Sequence, residues 1–280
     1  MSDNIRILFK ERVLKTPYET AIQLARVLSI TRFRHILKTF VSPSHSLWAF
    51  KYHYRRVPER DFIEFFVRKS GCSSQDIRAA YNDLCDNSPV WKKVAENLSL
   101  YPNGYGMQMT KESATLYLLV RLMKPDLIIE TGVSAGVSST YILRALHDNN
   151  KGELHSIDLP PDNIPSGKEC GWLVPETLRT RWYLHIGDAK DLLEPLLESL
   201  QRIDFFIHDS LHTYDHMMWE FRTAWQYLNL RGVMLAHDIG RNMAFSDFMK
   251  EKGVSWKNYR VFHVLGGFLK VNDINQKVNK

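Results

Sequence analysis

The sequence lacks the features that mark several classes of protein. It contains only three cysteines in 280 residues and no CxxC pair, which argues against a disulfide framework and against a cysteine-ligated zinc cluster. No apolar run reaches the roughly 18 residues that a membrane span requires. The first residues carry no long apolar stretch with a cleavage site of small residues, so no secretory signal is predicted. We therefore expect a cytoplasmic protein without a membrane span.

The chain also lacks a strong charge of one sign. Lys and Arg number 37 against 31 Asp and Glu, which leaves a net charge of +6, and much of the excess falls in the first 70 residues. No RNA-recognition, zinc-finger or glycine-rich arginine motif accompanies these basic residues, so no nucleic-acid partner is expected. Their pattern favours a helical surface that is solvated or faces a partner, such as a second copy in a homo-oligomer.

The composition and spacing of apolar residues divide the chain into two parts. Residues 1–105 are predicted to form a helical N-terminal region, with helices at Tyr18–Leu37 and Ser74–Leu84. Residues 106–280 alternate short apolar runs with helical patterns. The predicted strands are Leu127–Thr131, Glu153–Asp158, Trp182–Ile186, Ile203–His208 and Gly232–His237. The predicted helices are Lys111–Lys124, Val137–His147, Ala189–Leu200, Tyr214–Leu228 and Phe245–Glu251.

This alternation is typical of an α/β fold with a doubly wound, mostly parallel sheet. Two further strands, Tyr259–Leu265 and Phe268–Val271, are predicted to form a terminal hairpin around a tight turn at Gly266–Gly267, which adds one antiparallel strand. Ligands of such sheets bind beyond the carboxyl ends of the strands, so functional residues are expected just after each strand.

A turn with two glycines follows the first predicted strand, in the segment ETGVSAGVSS at residues 130–139. Gly132 and Gly136 allow the backbone to approach a ligand, and the helix that follows offers its first amides. Ser134 stands where a dinucleotide fingerprint needs a glycine, which disfavours a nicotinamide-dependent oxidoreductase. No Lys-Ser/Thr pair follows, so the turn is not a phosphate-binding P-loop. A tight turn without a ligand remains an alternative.

Carboxylates end the next two predicted strands. Asp158 lies 26 residues after Gly132, and its carboxylate can accept hydrogen bonds from both hydroxyls of a ribose. Asp188 follows the third strand, where it either accepts a hydrogen bond from an adenine amino group or caps the next helix. The turn and both acids occur in this order, and together they indicate a site for an adenosine-containing cofactor more strongly than any one of them does alone.

The motif ExGxxxGxSS, the strand-end Asp158 and the triplet GDA at residues 187–189 together resemble class I S-adenosylmethionine-dependent methyltransferases. The segments FIHDSLHTY and GVMLAHD resemble a branch that contains metal-dependent sugar and macrolide O-methyltransferases and cephalosporin-hydroxylase-like proteins. The resemblance covers about residues 107–271. It implies a seven-stranded sheet of order 3-2-1-4-5-7-6 and S-adenosylmethionine as cofactor. The implied cofactor-binding residues are Glu130, Gly132, Ser134, Gly136, Ser138, Asp158, Asp188 and Asp209.

The same resemblance suggests a metal site and a catalytic pair. Asp209, His237 and Asp238 end the neighbouring fourth and fifth strands and are predicted to converge on a divalent cation, Mg²⁺ or Mn²⁺. The resembled sugar enzymes have acidic residues at all three positions, so His237 weakens the case for Mg²⁺, and a hydrogen-bonded strand-end histidine is the alternative. His212 matches the family's base and, with Asp209, is the predicted catalytic pair; a structural or substrate hydrogen bond is the alternative.

The predicted function is O-methylation of a small hydroxylated acceptor, sugar-like or a natural product, with S-adenosylmethionine as methyl donor. The alternative is a non-catalytic binding or assembly protein on a methyltransferase scaffold, which uses its basic N-terminal helices for a partner. The sequence does not identify the acceptor, because the acceptor pocket depends on segments whose fold no motif specifies.

Overall fold

The computed structural model describes residues 57–68, 71–85, 89–99, 111–159, 166–254, 259–262 and 264–270. The predicted helix Tyr18–Leu37 and most of the predicted helical region 1–105 lie outside these residues. Among the helices that the structure describes, none has the length and apolar character that a membrane-crossing segment needs.

Among the described residues, four helices precede the sheet: α1 (Glu59–Val67), α2 (Ser74–Leu84), α3 (Pro89–Ser99) and α4 (Lys111–Met123). Helix α2 begins where the sequence predicts it, although the residue that caps it is Ser73. The Ser73 side chain accepts a hydrogen bond from the Asp76 amide, and the Asp76 carboxylate accepts one from the Ser73 amide. This reciprocal pair satisfies two amides that the first turn of a helix leaves without partners.

The aromatic side chains of α1 belong to the core of the sheet. Phe62 and Phe66 are fully buried, and their ring centroids lie 5.1 Å apart. Phe62 also packs against Phe262, in the last hairpin, at 6.1 Å. The backbone amide of Val57 donates to the carbonyl of Val261 in the same hairpin. The segment before α2 is therefore anchored to the edge of the sheet by burial of apolar surface and by a backbone hydrogen bond.

Seven strands form a single sheet of order β3-β2-β1-β4-β5-β7-β6, as predicted. The strands are β1 (Leu127–Thr131), β2 (Glu153–Asp158), β3 (Trp182–Ile186), β4 (Ile203–His208), β5 (Leu228–Ala236), β6 (Tyr259–Phe262) and β7 (Leu265–Leu269). Strands β1 to β5 pair in parallel, whereas β7 is antiparallel to both β5 and β6. The α/β fold class and the strand order are confirmed.

Helices cover both faces of this sheet. They are α4 before β1, then α5 (Val137–Asn149), α6 (Ala189–Leu200), α7 (Tyr214–Tyr227) and α8 (Ala244–Glu251), and a short 3₁₀ helix, Glu176–Arg181, precedes β3. Strand β5 begins at Leu228, four residues before the predicted start at Gly232. Asn229 and Arg231 interrupt its apolar pattern, so the sequence underestimates its length.

The predicted glycine turn of the terminal hairpin is wrong. Gly266 and Gly267 lie inside β7, which spans Leu265–Leu269. A Cβ on Gly267 would lie 2.5 Å from Leu235 Cδ2 and 2.8 Å from the Phe66 ring, and one on Gly266 would lie 2.4 Å from Ile239 Cδ1. Glycine is needed here because neighbouring side chains pack directly against the strand backbone, which leaves no room for a side chain.

Candidate functional site

The carboxyl ends of four parallel strands meet at one edge of the sheet. Thr131 of β1 pairs with Ile157 of β2 and with His208 of β4, and His208 pairs with Ala236 of β5. The order of the strands reverses between β1 and β4, which is the position at which doubly wound sheets bind ligands. The residues that the sequence assigns to the site lie at the ends of these strands or just after them, except Asp188, which follows β3.

The backbone after β1 lies directly against the backbone after β4. Gly132 has a φ of +89°, and a Cβ on it would lie 2.2 Å from the carbonyl oxygen of Asp209. The Asp209 amide donates to the Thr131 carbonyl at 2.8 Å, and the Gly132 amide donates to the Ile157 carbonyl at 2.9 Å. Glycine is therefore required at position 132 both for its dihedral angle and for this close approach.

The turn leads from β1 into helix α5 through Ser134 and Gly136. Both have left-handed backbone angles, with φ of +51° and +91°. Gly136 is the residue that precedes the first turn of α5, so the unpaired amides of that turn face the edge of the sheet. The amide of Gly171 donates to the Ser134 carbonyl, and that of Leu173 donates to the Ala135 carbonyl. The loop before β3 thus packs against this turn.

Glu130 is completely buried beneath the turn. Its carboxylate accepts hydrogen bonds from the hydroxyls of Ser138 and Ser139, each at 2.6 Å, and from Ser156 at 2.8 Å. Burial raises the pKa of Glu130 to about 7, although the three serine hydrogen bonds act in the opposite direction. The carboxylate therefore connects β1, β2 and the first turn of α5, and it fixes the shape of the turn from below.

Asp158 ends β2 and supports the same turn from the side. Its Oδ2 accepts hydrogen bonds from the amides of Val133, at 2.8 Å, and Ser134, at 2.6 Å. Within the described part of the chain, Oδ1 makes no hydrogen bond. One carboxylate oxygen is thus used to shape the turn, and the other is left to accept hydrogen bonds from a ligand.

Asp188 follows β3 and is the residue that caps α6. Its side chain accepts a hydrogen bond from the Lys190 amide at 2.9 Å. The capping alternative that the sequence left open is therefore present in the structure. A carboxylate has more than one acceptor site, so this hydrogen bond leaves the adenine contact as a prediction.

Three side chains from the ends of β4 and β5 form a compact cluster. Oδ1 of Asp209 lies 3.1 Å from Nδ1 of His237 and 3.5 Å from Nε2 of His212. One ligand atom from each of the three residues lies within 4.8 Å of the other two. The sequence places all three residues at this edge, and the structure brings them together.

The electrostatics of the cluster favour an ionised carboxylate. Burial alone would raise the pKa of Asp209, but the contacts of its carboxylate with the imidazoles of His212 and His237 outweigh it and lower the pKa to about 2. Burial likewise opposes protonation of His237, yet Asp209 and Asp238 raise the pKa of its imidazole above the ordinary value. A negative charge on Asp209 therefore stabilises a positive charge on His237.

Asp238, the third predicted metal ligand, makes a different contact. It has a left-handed φ of +51°, and its carboxylate pairs with Nε of Arg241 at 2.5 Å. Its nearer oxygen lies 3.9 Å from His237 Nδ1. The structure thus groups His212, rather than Asp238, with Asp209 and His237.

Sequence patterns assigned no role to Glu220, which lies on α7 and is completely buried. Its carboxylate contacts Nδ1 of His208 at 2.5 Å and Nε2 of His216 at 3.0 Å. It also accepts hydrogen bonds from Thr131, at the end of β1, and from Ser210, next to Asp209. The repeating apolar positions of α7 suggested only packing, because a carboxylate in an amphipathic helix is normally assumed to face solvent.

The comparisons with known proteins agree with this architecture. Residues 129–239 match a family described as "Methyltransferase domain". The O-methyltransferase TomG from Streptomyces achromogenes, solved with S-adenosylmethionine, is 17% identical; the match covers 71% of this chain and 97% of that one, with a TM-score of 0.51. The S-adenosylhomocysteine-bound methyltransferase PaMTH1 from Podospora anserina is 15% identical; the match covers 65% and 88%, with a TM-score of 0.50.

No curated protein matches this chain significantly. At these identities the two solved structures establish the fold, and the family match lies on the segment that carries the glycine turn and both acids. The shared fold and the family match together confirm the resemblance to class I S-adenosylmethionine-dependent methyltransferases.

Proposed function

We propose that this chain, whose residues 129–239 match a methyltransferase-domain family, transfers the methyl group of S-adenosylmethionine to an oxygen of a small hydroxylated acceptor, sugar-like or a natural product. The observation that carries the proposal is the position of Asp158 and Asp209 on either side of the Gly132 turn. A cofactor that lies across this turn has its ribose beside the first carboxylate and its sulfonium beside the second. No observation favours the non-catalytic alternative.

The proposed cofactor contacts follow from the groups that remain available. Oδ1 of Asp158 accepts hydrogen bonds from the ribose hydroxyls, and Asp188 accepts one from the adenine amino group. The backbone of Gly132, Ser134 and Gly136 lies against the adenosyl and methionine parts of the cofactor. Glu130 and Ser138 act through the hydrogen bond between them, which holds the turn in the shape that the cofactor requires.

The chemical step joins an acceptor oxygen to the methyl carbon as the bond from that carbon to sulfur breaks. The sulfur leaves as neutral S-adenosylhomocysteine, and the acceptor hydroxyl loses a proton. The imidazole of His212 takes that proton, and the Asp209 carboxylate, 3.5 Å from Nε2, stabilises the imidazolium that results. Because the methyl group is already activated, alignment of the two reactants supplies most of the rate enhancement.

The Mg²⁺ that the resemblance implies does not fit the residues that the structure brings together. Mg²⁺ prefers oxygen ligands in near-octahedral geometry, whereas the cluster offers one carboxylate and two imidazoles. The carboxylate of Asp238 is paired with Arg241. No step of the proposed reaction therefore passes through Mg²⁺.

The direct test is calorimetric titration of the full chain with S-adenosylhomocysteine. We expect one site per chain, and we expect Asp158→Asn to weaken the affinity by about 10- to 100-fold, as for the loss of a charge-assisted hydrogen bond. Glu198→Gln makes the same change of charge on an exposed position of α6 and serves as the matched control. Absence of binding by folded wild-type protein, or equal affinity in both variants, would contradict the proposal.

A further inference from the structure

We propose that Asp209, His212 and His237 bind a single late first-row divalent cation, of which Zn²⁺ is the convenient probe, in preference to Mg²⁺. The three side chains come from the ends of two adjacent strands, and their ligand atoms lie within 4.8 Å of one another. The proposal deepens the proposed function, because it concerns the same edge of the sheet, but cation binding by these side chains does not require methyl transfer.

The distances between the donor atoms match a shared ion. An ion held at about 2.0–2.1 Å by three ligands in tetrahedral or octahedral geometry separates the donor atoms by roughly 3 Å. The Asp209 oxygen lies 3.1 Å from the His237 nitrogen and 3.5 Å from the His212 nitrogen. The two pairs that include the carboxylate are therefore already near the spacing that coordination needs, and only the two imidazoles have to approach each other.

The donor types decide which ions are favoured. Two imidazole nitrogens and one carboxylate oxygen suit zinc, iron, cobalt and nickel, whereas Mg²⁺ selects carboxylates, carbonyls and water. A site with a single negative charge also offers Mg²⁺ little to compensate for the loss of its tightly held water. Three protein ligands leave further positions open to water or to an oxygen of a substrate.

The imidazole of His212 lacks a satisfactory partner in the metal-free site. Its Nε2 is inaccessible to solvent, and it makes no well-formed hydrogen bond to any described residue; the Asp209 carboxylate at 3.5 Å is its ion-pair contact. Such a buried nitrogen is costly unless something binds it. A coordinated cation would satisfy it.

A second layer of contacts holds the ligand in place. The His212 ring lies edge-to-face with the buried ring of His208, with centroids 5.1 Å apart. His208 is in turn fixed by its hydrogen bond with Glu220. Buried groups that orient a ligand through a second contact are a regular feature of protein metal sites, where they reduce the cost of ordering the ligand.

Coordination has a consequence for the proposed reaction. A cation bound to Nε2 of His212 leaves the other ring nitrogen protonated, so the imidazole has no lone pair free for the acceptor proton. The metal-loaded protein is therefore expected to bind the cofactor but to transfer methyl groups more slowly than the metal-free protein. Zn²⁺ would act as an inhibitor, and Mg²⁺ would have no effect at the same concentration.

The test is competition between the metal-free full chain and a fluorescent zinc chelator, with Co²⁺ absorption as a second readout of coordination. We expect one Zn²⁺ per chain, bound at least about 100-fold more tightly than Mg²⁺. His212→Ala and His237→Ala are each expected to weaken Zn²⁺ binding by about 10- to 100-fold. The matched control is His147→Ala, since that side chain is 59% exposed on α5.

Asp238→Asn separates this site from the one that the sequence predicts. It should leave Zn²⁺ affinity within about threefold of wild type, because its carboxylate pairs with Arg241, whereas an oxygen-rich site that includes Asp238 would lose affinity by about 10-fold or more. Circular dichroism of each variant reports folding, and titration with S-adenosylhomocysteine tests the proposed function separately. Failure to bind Zn²⁺ stoichiometrically, or unchanged affinity in both histidine variants, would overturn the inference.

Discussion

The carboxylate of Glu220 and the imidazole of His208 meet at 2.5 Å in a part of the protein that excludes solvent from both side chains. Burial alone would raise the pKa of Glu220, but hydrogen bonds with His208 and His216 lower it to about 2. A buried pair of this kind is costly to break, because the remaining partner is left without a counter-charge or a hydrogen bond.

We predict that Glu220→Gln lowers the free energy of unfolding by about 3 kcal/mol or more at pH 7. Since the pKa of Glu220 is lower in the folded state, its contribution is present above its ordinary pKa of 4.5 and is lost as the pH falls toward 2. Chemical denaturation of wild type and variant at several pH values measures both effects. Glu251→Gln removes a partly exposed ion pair with Arg222 and should cost less than about 1 kcal/mol. Equal losses in the two variants would contradict the prediction.

Glu130 should show the opposite dependence on pH. Burial raises its pKa from 4.5 in the unfolded chain to about 7, so the folded state holds the proton more tightly, and stability falls as the pH rises through this window. At about 1.4 kcal/mol per pKa unit, the decrease is about 3 kcal/mol. The negative charge of Asp209 also raises the pKa of Glu130.

We predict that Glu130→Gln removes the decrease, because a neutral amide does not ionise. Denaturation at pH 5 and pH 8 compares the two proteins. Glu153→Gln, at the start of β2 where the side chain is partly exposed, should retain the wild-type profile. A wild-type protein with constant stability across this range would show that the buried carboxyl does not titrate there.

Gly132→Ala tests the close approach between the ends of β1 and β4. The added methyl group would lie 2.2 Å from the Asp209 carbonyl oxygen, so the segments that follow β1 and β4 have to separate. Gly71→Ala is a matched control, because Gly71 has a similar φ of +80° but no atom within 4 Å of the position that a Cβ would take. Both variants bear the dihedral cost of about 1–2 kcal/mol.

We expect only Gly132→Ala to lose substantially more stability than this and to lose S-adenosylhomocysteine binding in calorimetry. A Gly132→Ala protein that binds the ligand with wild-type affinity would show that the two segments tolerate separation.

His212→Gln separates the chemical step from cofactor binding. We predict that affinity for S-adenosylhomocysteine stays within about threefold of wild type, since the side chain acts on the acceptor, whereas turnover falls by about 10²- to 10⁴-fold. The assay measures transfer from methyl-labelled S-adenosylmethionine to a panel of monosaccharides and glycosylated hydroxylated compounds. His147→Gln, on the exposed face of α5, should leave turnover unchanged. Unchanged turnover in His212→Gln would remove its role as proton acceptor.

The positions of the parallel strands were predictable because each is a buried apolar run that ends at a polar or turn-forming residue, whereas their order followed from the resemblance to the methyltransferase fold. The turn at Gly266–Gly267 was wrongly predicted because adjacent glycines are typical of a turn. Only the positions of Leu235 and Phe66 show why the strand requires glycine. The sequence carries no local signal for a contact of that kind, because it depends on residues that are far apart in the chain.

The residues of the candidate site were also predictable only in part. Asp209 and His237 follow from the register of neighbouring strands. The choice between His212 and Asp238 depends on side-chain direction, which is set here by the left-handed backbone of Asp238 and its pairing with Arg241. The buried position of Glu220 was not predictable, because it lies 89 residues from Thr131, which donates a hydrogen bond to it, and no periodicity connects the two.

The backbone contact between Gly132 and Asp209 also bears on how this scaffold could acquire new substrates. The turn at Gly132 and the segment that carries Asp209 are in contact through main-chain atoms, so neither can move without the other. Exchange of the surrounding loops would then change which acceptor is bound, while the spacing between the Gly132 turn and the Asp209 segment stays the same.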